Sequence, residues 1–353
     1  MKNKILTLGL ALLIGGVVYA QPNRVGQAGG TELLLSSSCL PTTSGVNGIN
    51  FGSTSGVEAA MINPAGLSAM QGNTELLFSH TRLWIGTGAS INSIGLAQKL
   101  GDSGGTIGIS VNSLSPGEIR RTTTIFPNGT MGNVPLSFLN FGVTYAKKFT
   151  EHIYVGATIK ILSESMPDAS AVGACFDAGV QYRALENDAL KLGISLKNIG
   201  PTMRYQGQGL ENRVKLNPAN PYDNAAVIPT DKIDLPSILS MGASYDFALG
   251  EKNTLSLLGG FISNAYFYNQ LGGGLEYRYG QYVALRGGFI YEKGITTESK
   301  RYDAYTGLSA GASFQVPLKN KKSDNESMFG LDISYKTSNP WGGTLCFGAR
   351  MNL

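Results

Sequence analysis

The chain has 353 residues, 47 of them glycine, with 15% charged residues and a formal net charge of +4. Soluble domains usually carry about 25% charged residues, so the composition argues against an ordinary soluble fold, and so small a net charge gives no footing for nucleic-acid binding. Three cysteines (Cys39, Cys175, Cys346) and two histidines (His80, His152) are too few and too scattered for a disulfide scaffold or a metal site, and no cofactor is expected.

Residues 1–20 read as a secretory signal peptide: Lys2 and Lys4, an apolar run from Ile5 to Val18, then Val18-Tyr19-Ala20 as a small-residue cleavage site. The run is shorter than the roughly 20 residues of a spanning helix. Residue 21 is Gln rather than Cys, so cleavage there leaves no lipid anchor. The mature chain is expected to start near Gln21, outside the cytoplasm.

Residues 21–74 are glycine-rich and contain "AMINPAGLSAM" at 60–70, an apolar segment broken by Asn63-Pro64. Pro64 fixes its own φ and pushes Asn63 away from helical geometry. Ala65 and Gly66 let backbone pack closely. In isolation Asn63-Pro64 is only a turn. Ahead of a barrel, the segment 21–74 is expected to fold into the lumen as a hatch, with Asn63, Pro64, Ala65 and Gly66 at its centre.

From residue 75 to 353 the chain alternates with period two. In "FLNFGVTYAK" (138–147), Leu139, Phe141, Val143 and Tyr145 alternate with Asn140, Gly142, Thr144 and Ala146; "IYVGATIKI" (153–161) and "VGACFDAGVQY" (172–182) repeat the pattern. About fourteen such segments follow one another, each close to the roughly 9–11 residues of a tilted transmembrane strand. The connections themselves alternate in length. "GDSG", "KFTE" and "ALEND" are short, whereas 114–137, 163–171, 199–235 and 292–305 are long; 317–327 is longer than this rule expects. Short turns at one end and long loops at the other are the mark of an outer-membrane barrel. The fold class is therefore all-β: a transmembrane outer-membrane β-barrel, integral and multi-pass, surrounded by outer-membrane lipid, with both termini periplasmic.

A secreted β-sandwich or propeller also alternates, but its polar face would be rich in surface Lys and Glu. Here that face is mostly Gly, Ser, Thr and Asn, and the final segment carries Leu345, Phe347, Ala349, Met351 and Leu353 on one face. By parity Lys160, Asp177, Asp246, Glu276, Arg286 and Arg350 face the lumen. Because their signs are mixed, a salt-bridged interior around a plug is favoured over an open conduit. Cys175 and Cys346 face the lumen too, which allows a bridge to Cys39 in an oxidising compartment. The serines of "LLSSSCLP" have no partnered His, and no other catalytic constellation occurs, so the protein is not expected to be an enzyme. The long loops carry apolar residues, Ile125, Phe126 and Met131 in the first and Met203, Tyr205, Leu210, Val227 and Ile228 in the second. Apolar loop residues bind a partner, or else fold over and pack on one another.

With the signal peptide and the strands, the "NPAGL" at 63–67 resembles the FadL-like barrels. "RVGQAGGTELLL" (24–35) and "GISLKNIGPTMRYQGQGL" (193–210) resemble, more narrowly, the PorV/PorQ family of Bacteroidetes. That resemblance implies an outer-membrane component of the type IX secretion system. Such a component docks to the translocon barrel and binds the C-terminal signal domains of secreted proteins through its external loops, with a link to gliding motility. The lead-in "SSSCLPTTSGVNGINFGSTSGVEAAMINPAG" departs from the family's usual pattern, which suggests an accessory paralogue. The wider FadL resemblance implies the alternative, a transporter for hydrophobic small molecules. An apolar lumenal pocket beside the hatch is the feature that would favour transport.

Overall fold

Strict alternation becomes, in space, a wall one residue thick with an apolar outside and a polar inside. The computed structural model describes residues 29–36, 40–101, 104–129, 132–214, 224–318 and 327–353. The expected signal peptide, Cys39 and Met131 lie outside these. Among the described residues, fourteen antiparallel strands close into a barrel: β1 (Thr74–Arg82), β2 (Ser90–Lys99), β3 (Thr106–Ser115), β4 (Ser137–Lys148), β5 (Ile153–Met166), β6 (Ala169–Ala184) and β7 (Leu190–Ile199), then β10 (Ile238–Ala248), β11 (Asn253–Asn264), β12 (Gln270–Tyr279), β13 (Val283–Glu292), β14 (Tyr305–Leu318), β15 (Ser327–Ser338) and β16 (Thr344–Asn352). A separate small hairpin, β8 (Glu211–Val214) with β9 (Asn224–Val227), sits in the long β7–β10 connection. No helix is long and apolar enough to cross a membrane among the described residues.

Register keeps the two faces continuous around the wall. Leu96, Ile109, Val143, Ile159 and Phe176 are successive cross-strand partners, and all point outward and are exposed. One residue along, Ser110, Gly142, Lys160 and Cys175 form the matching inward row. Tyr145, Tyr182, Tyr245 and Tyr277 stand exposed near the short-turn end, where an aromatic girdle meets the membrane interface. The barrel closes by pairing β1 with β16, and Leu353 exchanges main-chain hydrogen bonds with Asn73 and Thr74.

One feature departs from the sequence reading. The expected loop at 163–171 is mostly strand: β5 and β6 pair out to Met166 and Ala169, so only Pro167 and Asp168 turn. Asp168 takes φ 62°, the left-handed geometry that Asp tolerates in tight turns. Sequence alternation fades there because the ends of these strands rise past the lipid, where the outward face has no reason to be apolar. The described part of the lead-in extends along the lumen from one end of the barrel to the other. Helix α1 (Gly29–Ser36) lies at the long-loop end, packed on Phe138 and beside Glu164, and the chain then runs through the lumen to Asn73. Gly29 therefore lies at the end of the barrel opposite Leu353.

Candidate functional site

The lead-in fills the lumen. After α1 come α2 (Pro41–Ser44), the stretch 45–58, α3 (Ala59–Ile62) and a 3-10 turn (Pro64–Ala69), and nearly all of it is buried. Asn63 takes the extended φ −145° and ψ 102° that a following proline imposes. Its Nδ2 donates to the carbonyls of Phe51 (2.9 Å) and Val180 (3.1 Å), and its Oδ1 accepts from the N–H of Ala65 at 3.3 Å. Asn63 thus ties the turn both to the plug and to strand β6. Gln181 does the converse from the wall, donating to the carbonyls of Phe51 and Thr54 at 3.0 and 2.9 Å.

What lets the plug sit so close to the wall is glycine. A Cβ on Gly156 would meet the Pro64 carbonyl, one on Gly179 would meet the Asn63 side chain, and one on Gly193 would meet the Phe51 carbonyl. This explains much of the high glycine content: lumen-facing glycines make a recess for plug backbone. Composition alone hid these positions. Their parity, on the polar face of strands that are otherwise well formed, is the signal that could have singled them out.

The lumenal charges pair with one another. Lys160 pairs with Asp177 and donates to Asn198 Oδ1 at 3.0 Å, while Asn198, at φ 62° in a bulge, donates its N–H to Asp177 at 2.8 Å. Asp246 holds Lys191 at 2.6 Å and Arg278 at 3.0 Å, and Glu276 bridges Arg278 and Arg286. Arg350 holds Asp332 at 2.9 Å and reaches Glu58 of the plug at 3.6 Å. These interior charges are paired with opposite ones and do not form a conduit of one sign.

Two cavities flank the segment 46–55. On the long-loop side lies one of about 130 Å³, bounded by Leu33, Phe51, Ile62, Ile262, Phe267 and Ile290, with Trp84, Lys197, Glu292, Asp303 and Lys336 among its polar groups. Burial pushes the Asp303 carboxyl above its ordinary range. On the short-turn side lies one of about 220 Å³, bounded by the Lys191, Glu276, Arg278, Arg286 and Arg350 network. Asn47, Gly48 and Phe51 face the first; Val46, Asn50, Ser53 and Thr54 face the second. A short irregular stretch, without regular secondary structure to stiffen it, is what separates them. Parity in the sequence puts Glu276, Arg286 and Arg350 on the lumen face, but it does not bring them into one cavity, because the lining residues converge from nine or more separated segments.

The mouth is covered by the β7–β10 connection. Met203 and Ile233 pair as a bridge and are buried with Leu35, Leu162 and Tyr266, so Met203 is core and offers no surface to a partner. Its thioether fills the recess above Gly173. Tyr205 is partly buried and donates its hydroxyl to Glu164; burial and that carboxylate hold the phenol above its ordinary range. Leu210 is partly buried as well. Ile125, Phe126, Val227 and Ile228 are exposed, Ile125 the most at 79%. The second loop therefore folds over on itself in its first part and exposes apolar tips farther out. Cys175 and Cys346 are buried, and the Cys346 sulfur accepts from the Thr81 hydroxyl at 2.9 Å; their expected partner Cys39 lies outside the described residues. No group of three or more metal-ligating side chains occurs among the described residues.

No family model and no curated protein sequence matches the chain. Among solved structures it is similar to the toluene transporter TodX of Pseudomonas putida, at 13% identity and a TM-score of 0.51, covering 90% of this chain and 96% of that one. It is also similar to a FadL homologue of Pseudomonas aeruginosa, at 13% identity and a TM-score of 0.50, covering 88% and 96%. At such identities the likeness is one of fold. The chain is a closed fourteen-stranded antiparallel β-barrel whose fold is like that of the FadL-type barrels, with its lumen filled by the lead-in.

Proposed function

We propose that this barrel is a gated channel that admits small apolar molecules through the outer membrane. The observation that carries the reading is the pair of cavities on opposite faces of segment 46–55, the one toward the long loops lined in about half by apolar side chains and the one toward the short turns mostly polar and charged. With the long loops outside, as in outer-membrane barrels generally, a molecule leaves the mouth for the first cavity, where Phe51, Ile62, Ile262 and Ile290 replace water. Displacement of 46–55 joins the two cavities, and the polar second one releases the molecule to the periplasm. The structural neighbour described as a toluene transporter lends weight to this reading. Uptake of radiolabelled toluene by cells whose own outer membrane excludes it tests the idea. The barrel should raise the rate, and a disulfide fixing 46–55 to the wall should return it to background. Equal uptake with and without the barrel sinks the proposal.

A second reading, docking within the type IX secretion system, draws on the exposed tips Ile125, Phe126, Val227 and Ile228. Apolar groups at loop tips fit a protein partner, either a translocon barrel or the C-terminal signal domains of cargo. Purification in mild detergent should then recover such a partner, and shortening 203–228 should abolish its recovery while the barrel still folds. Recovery of the barrel alone from cells that carry the system excludes this reading.

A further inference from the structure

The lipid-facing surface has a dent at the closing seam of the barrel. About 320 Å³ in volume, it lies across β14, β15, β16 and β1, where Phe78, Phe314, Leu331, Ile333 and Phe347 surround the small side chain of Ala349. The register fixes what stands above it. His80 is the next outward residue after Phe78 on β1 and the cross-strand partner of Phe347, and Arg82 is the next outward residue beyond. Rows of partners climb toward the long loops as the strand number rises. The row that leaves Tyr245 at the short-turn end runs through successive partners to Tyr335 at the long-loop end, then to Leu345 and Arg82. Arg82 is therefore at or above the level of the exposed Tyr335, where an aromatic girdle meets the membrane interface. At roughly 3.4 Å per residue, Arg82 lies about 14 Å along the strand from Phe78, or about 10 Å in depth at the usual barrel tilt. One lipid spans that distance, because half of the hydrocarbon core is about 15 Å thick.

The polar groups above the dent are open to the outside. Arg82 is exposed, and its guanidinium engages no carboxylate among the described residues. No Asp or Glu occupies an outward position of β14, β15, β16, β1, β2 or β3. One row below Arg82, His80 Nδ1 and Asn92 Oδ1 lie 2.8 Å apart on the same outward face. Because Asn92 Oδ1 only accepts, Nδ1–H donates to it, and the N–H groups of Asn92 Nδ2 are left for another acceptor. Polar side chains facing plain hydrocarbon are costly. A bare chain fills the dent but meets neither Asn92 nor Arg82, and a zwitterionic headgroup sets its own cation against Arg82. A phosphorylated lipid meets all three, and guanidinium pairs with phosphate through two parallel hydrogen bonds. We infer that the β14–β1 seam binds lipid A, the phosphorylated glycolipid of the outer leaflet, with a phosphate on Arg82, an acyl carbonyl on Asn92 Nδ2 and a chain in the dent against Phe78, Phe347 and Ala349. The long loops of outer-membrane barrels face outward, so the site opens to the leaflet that holds this lipid. The assignment is independent of whether the lumen conducts.

Native mass spectrometry of the full-length barrel, refolded in detergent from inclusion bodies so that it carries no membrane lipid, tests the site. The probes are lipid A, phosphatidylglycerol and phosphatidylethanolamine. Lipid A should bind one to one, more tightly than phosphatidylethanolamine by about tenfold or more. Loss of one hydrogen bond to a charged group corresponds to about ten- to a hundredfold, so Arg82→Gln should lower lipid A affinity by that much. Ala349→Leu fills the dent while keeping an apolar face, and should lower it as well. Lys147→Gln, at an exposed outward lysine near the short-turn end, should change nothing. Heat-modifiable gel mobility shows whether each variant is folded, and Arg82→Lys, which keeps the charge without the planar fork, stands in for Arg82→Gln if that variant is not. No binding of lipid A, or an affinity unmoved by the folded Arg82 variants or lowered equally by Lys147→Gln, overturns the site. Phosphatidylglycerol bound as tightly as lipid A, with the same dependence on Arg82, overturns the choice of lipid.

Discussion

The guanidinium of Arg350, on the last strand of the wall, lies 3.6 Å from the carboxylate of Glu58 in the plug. Glu58 is buried and also accepts from the main chain and hydroxyls of Thr42 and Thr43. One carboxylate thus connects two parts of the plug to strand β16. Arg350 keeps Asp332 whatever happens to Glu58, so replacing Glu58 does not strand a bare cation.

The first prediction follows from that arrangement. Glu58→Gln should leave the barrel intact but loosen the plug by about 1–3 kcal/mol, the usual worth of hydrogen bonds to a charged group. In planar bilayers the variant should show brief conducting events at least several times more often than the parent. Identical recordings would mean that Glu58 does not restrain the plug.

A second prediction concerns the recess in the wall. Gly179→Val places a branched side chain where the Asn63 amide and the Pro64 ring now sit, and that amide is held by its hydrogen bonds to Phe51, Val180 and Ala65. The strand can hold valine comfortably, since β-branched residues suit strands. The plug, not the wall, should therefore give way. The folded barrel should keep its heat-modifiable mobility, while segment 46–70 becomes cleavable by protease added in detergent. Gly287→Val, at a glycine with open space beside it, is the control and should be silent.

The ease of reading the wall and the difficulty of reading the site have one physical source. A strand's facing depends on its own period, so Ile159 and Lys160 declare themselves locally, and all fourteen strands follow from such runs. The β5–β6 hairpin escaped because its outer residues leave the lipid and lose the alternation. The plug was legible as a segment, since "MINPAGL" cannot be strand or spanning helix. Its partners were not, because Asn63 meeting Val180 joins residues 117 apart in sequence. The cavity residues are scattered more widely still, from Leu33 to Lys336. Met203 shows the opposite error: an apolar residue in a long loop reads as surface, yet the loop turns inward and uses it as core.

The apolar exterior gives a third prediction. Ile159 is at the middle of β5, points away from the lumen and is 64% exposed. A lipid-facing Arg at mid-depth costs about 2–4 kcal/mol. Ile159→Arg should lower folding stability in lipid vesicles by that amount, measured from urea unfolding. The neighbouring Thr158 faces inward and shares a 2.8 Å hydrogen bond with Thr144, so Thr158→Val should cost only about 1 kcal/mol. Comparable losses from the two substitutions would contradict the assigned facing.

The fourth prediction is a pH dependence at the mouth. Tyr205 in the long loop donates to Glu164 on β5, and Glu164 accepts from the N–H of Thr31 in α1 at 2.7 Å. Loop, wall and plug therefore meet at one carboxylate. Burial and the neighbouring carboxylate raise the phenol above its ordinary value, which is about 10. The proton is thus held more tightly in the closed mouth than in a free loop. The closing contribution is complete below pH about 10 and is lost only as pH rises through the higher value of the closed form. Across neutral and mildly alkaline pH, cleavage of the β7–β10 connection by an alkaline protease should stay constant, then increase steeply above pH about 10. Spectrophotometric titration should show one of the 16 tyrosines ionising later than a free phenol, and Tyr205→Phe should remove that step. The same substitution should make cleavage rapid already at neutral pH, because the hydroxyl that links the loop to Glu164 is gone. A Tyr205 that ionises at the ordinary value, or a Phe variant cleaved no faster than the parent, would show that the mouth is held closed by its apolar packing alone.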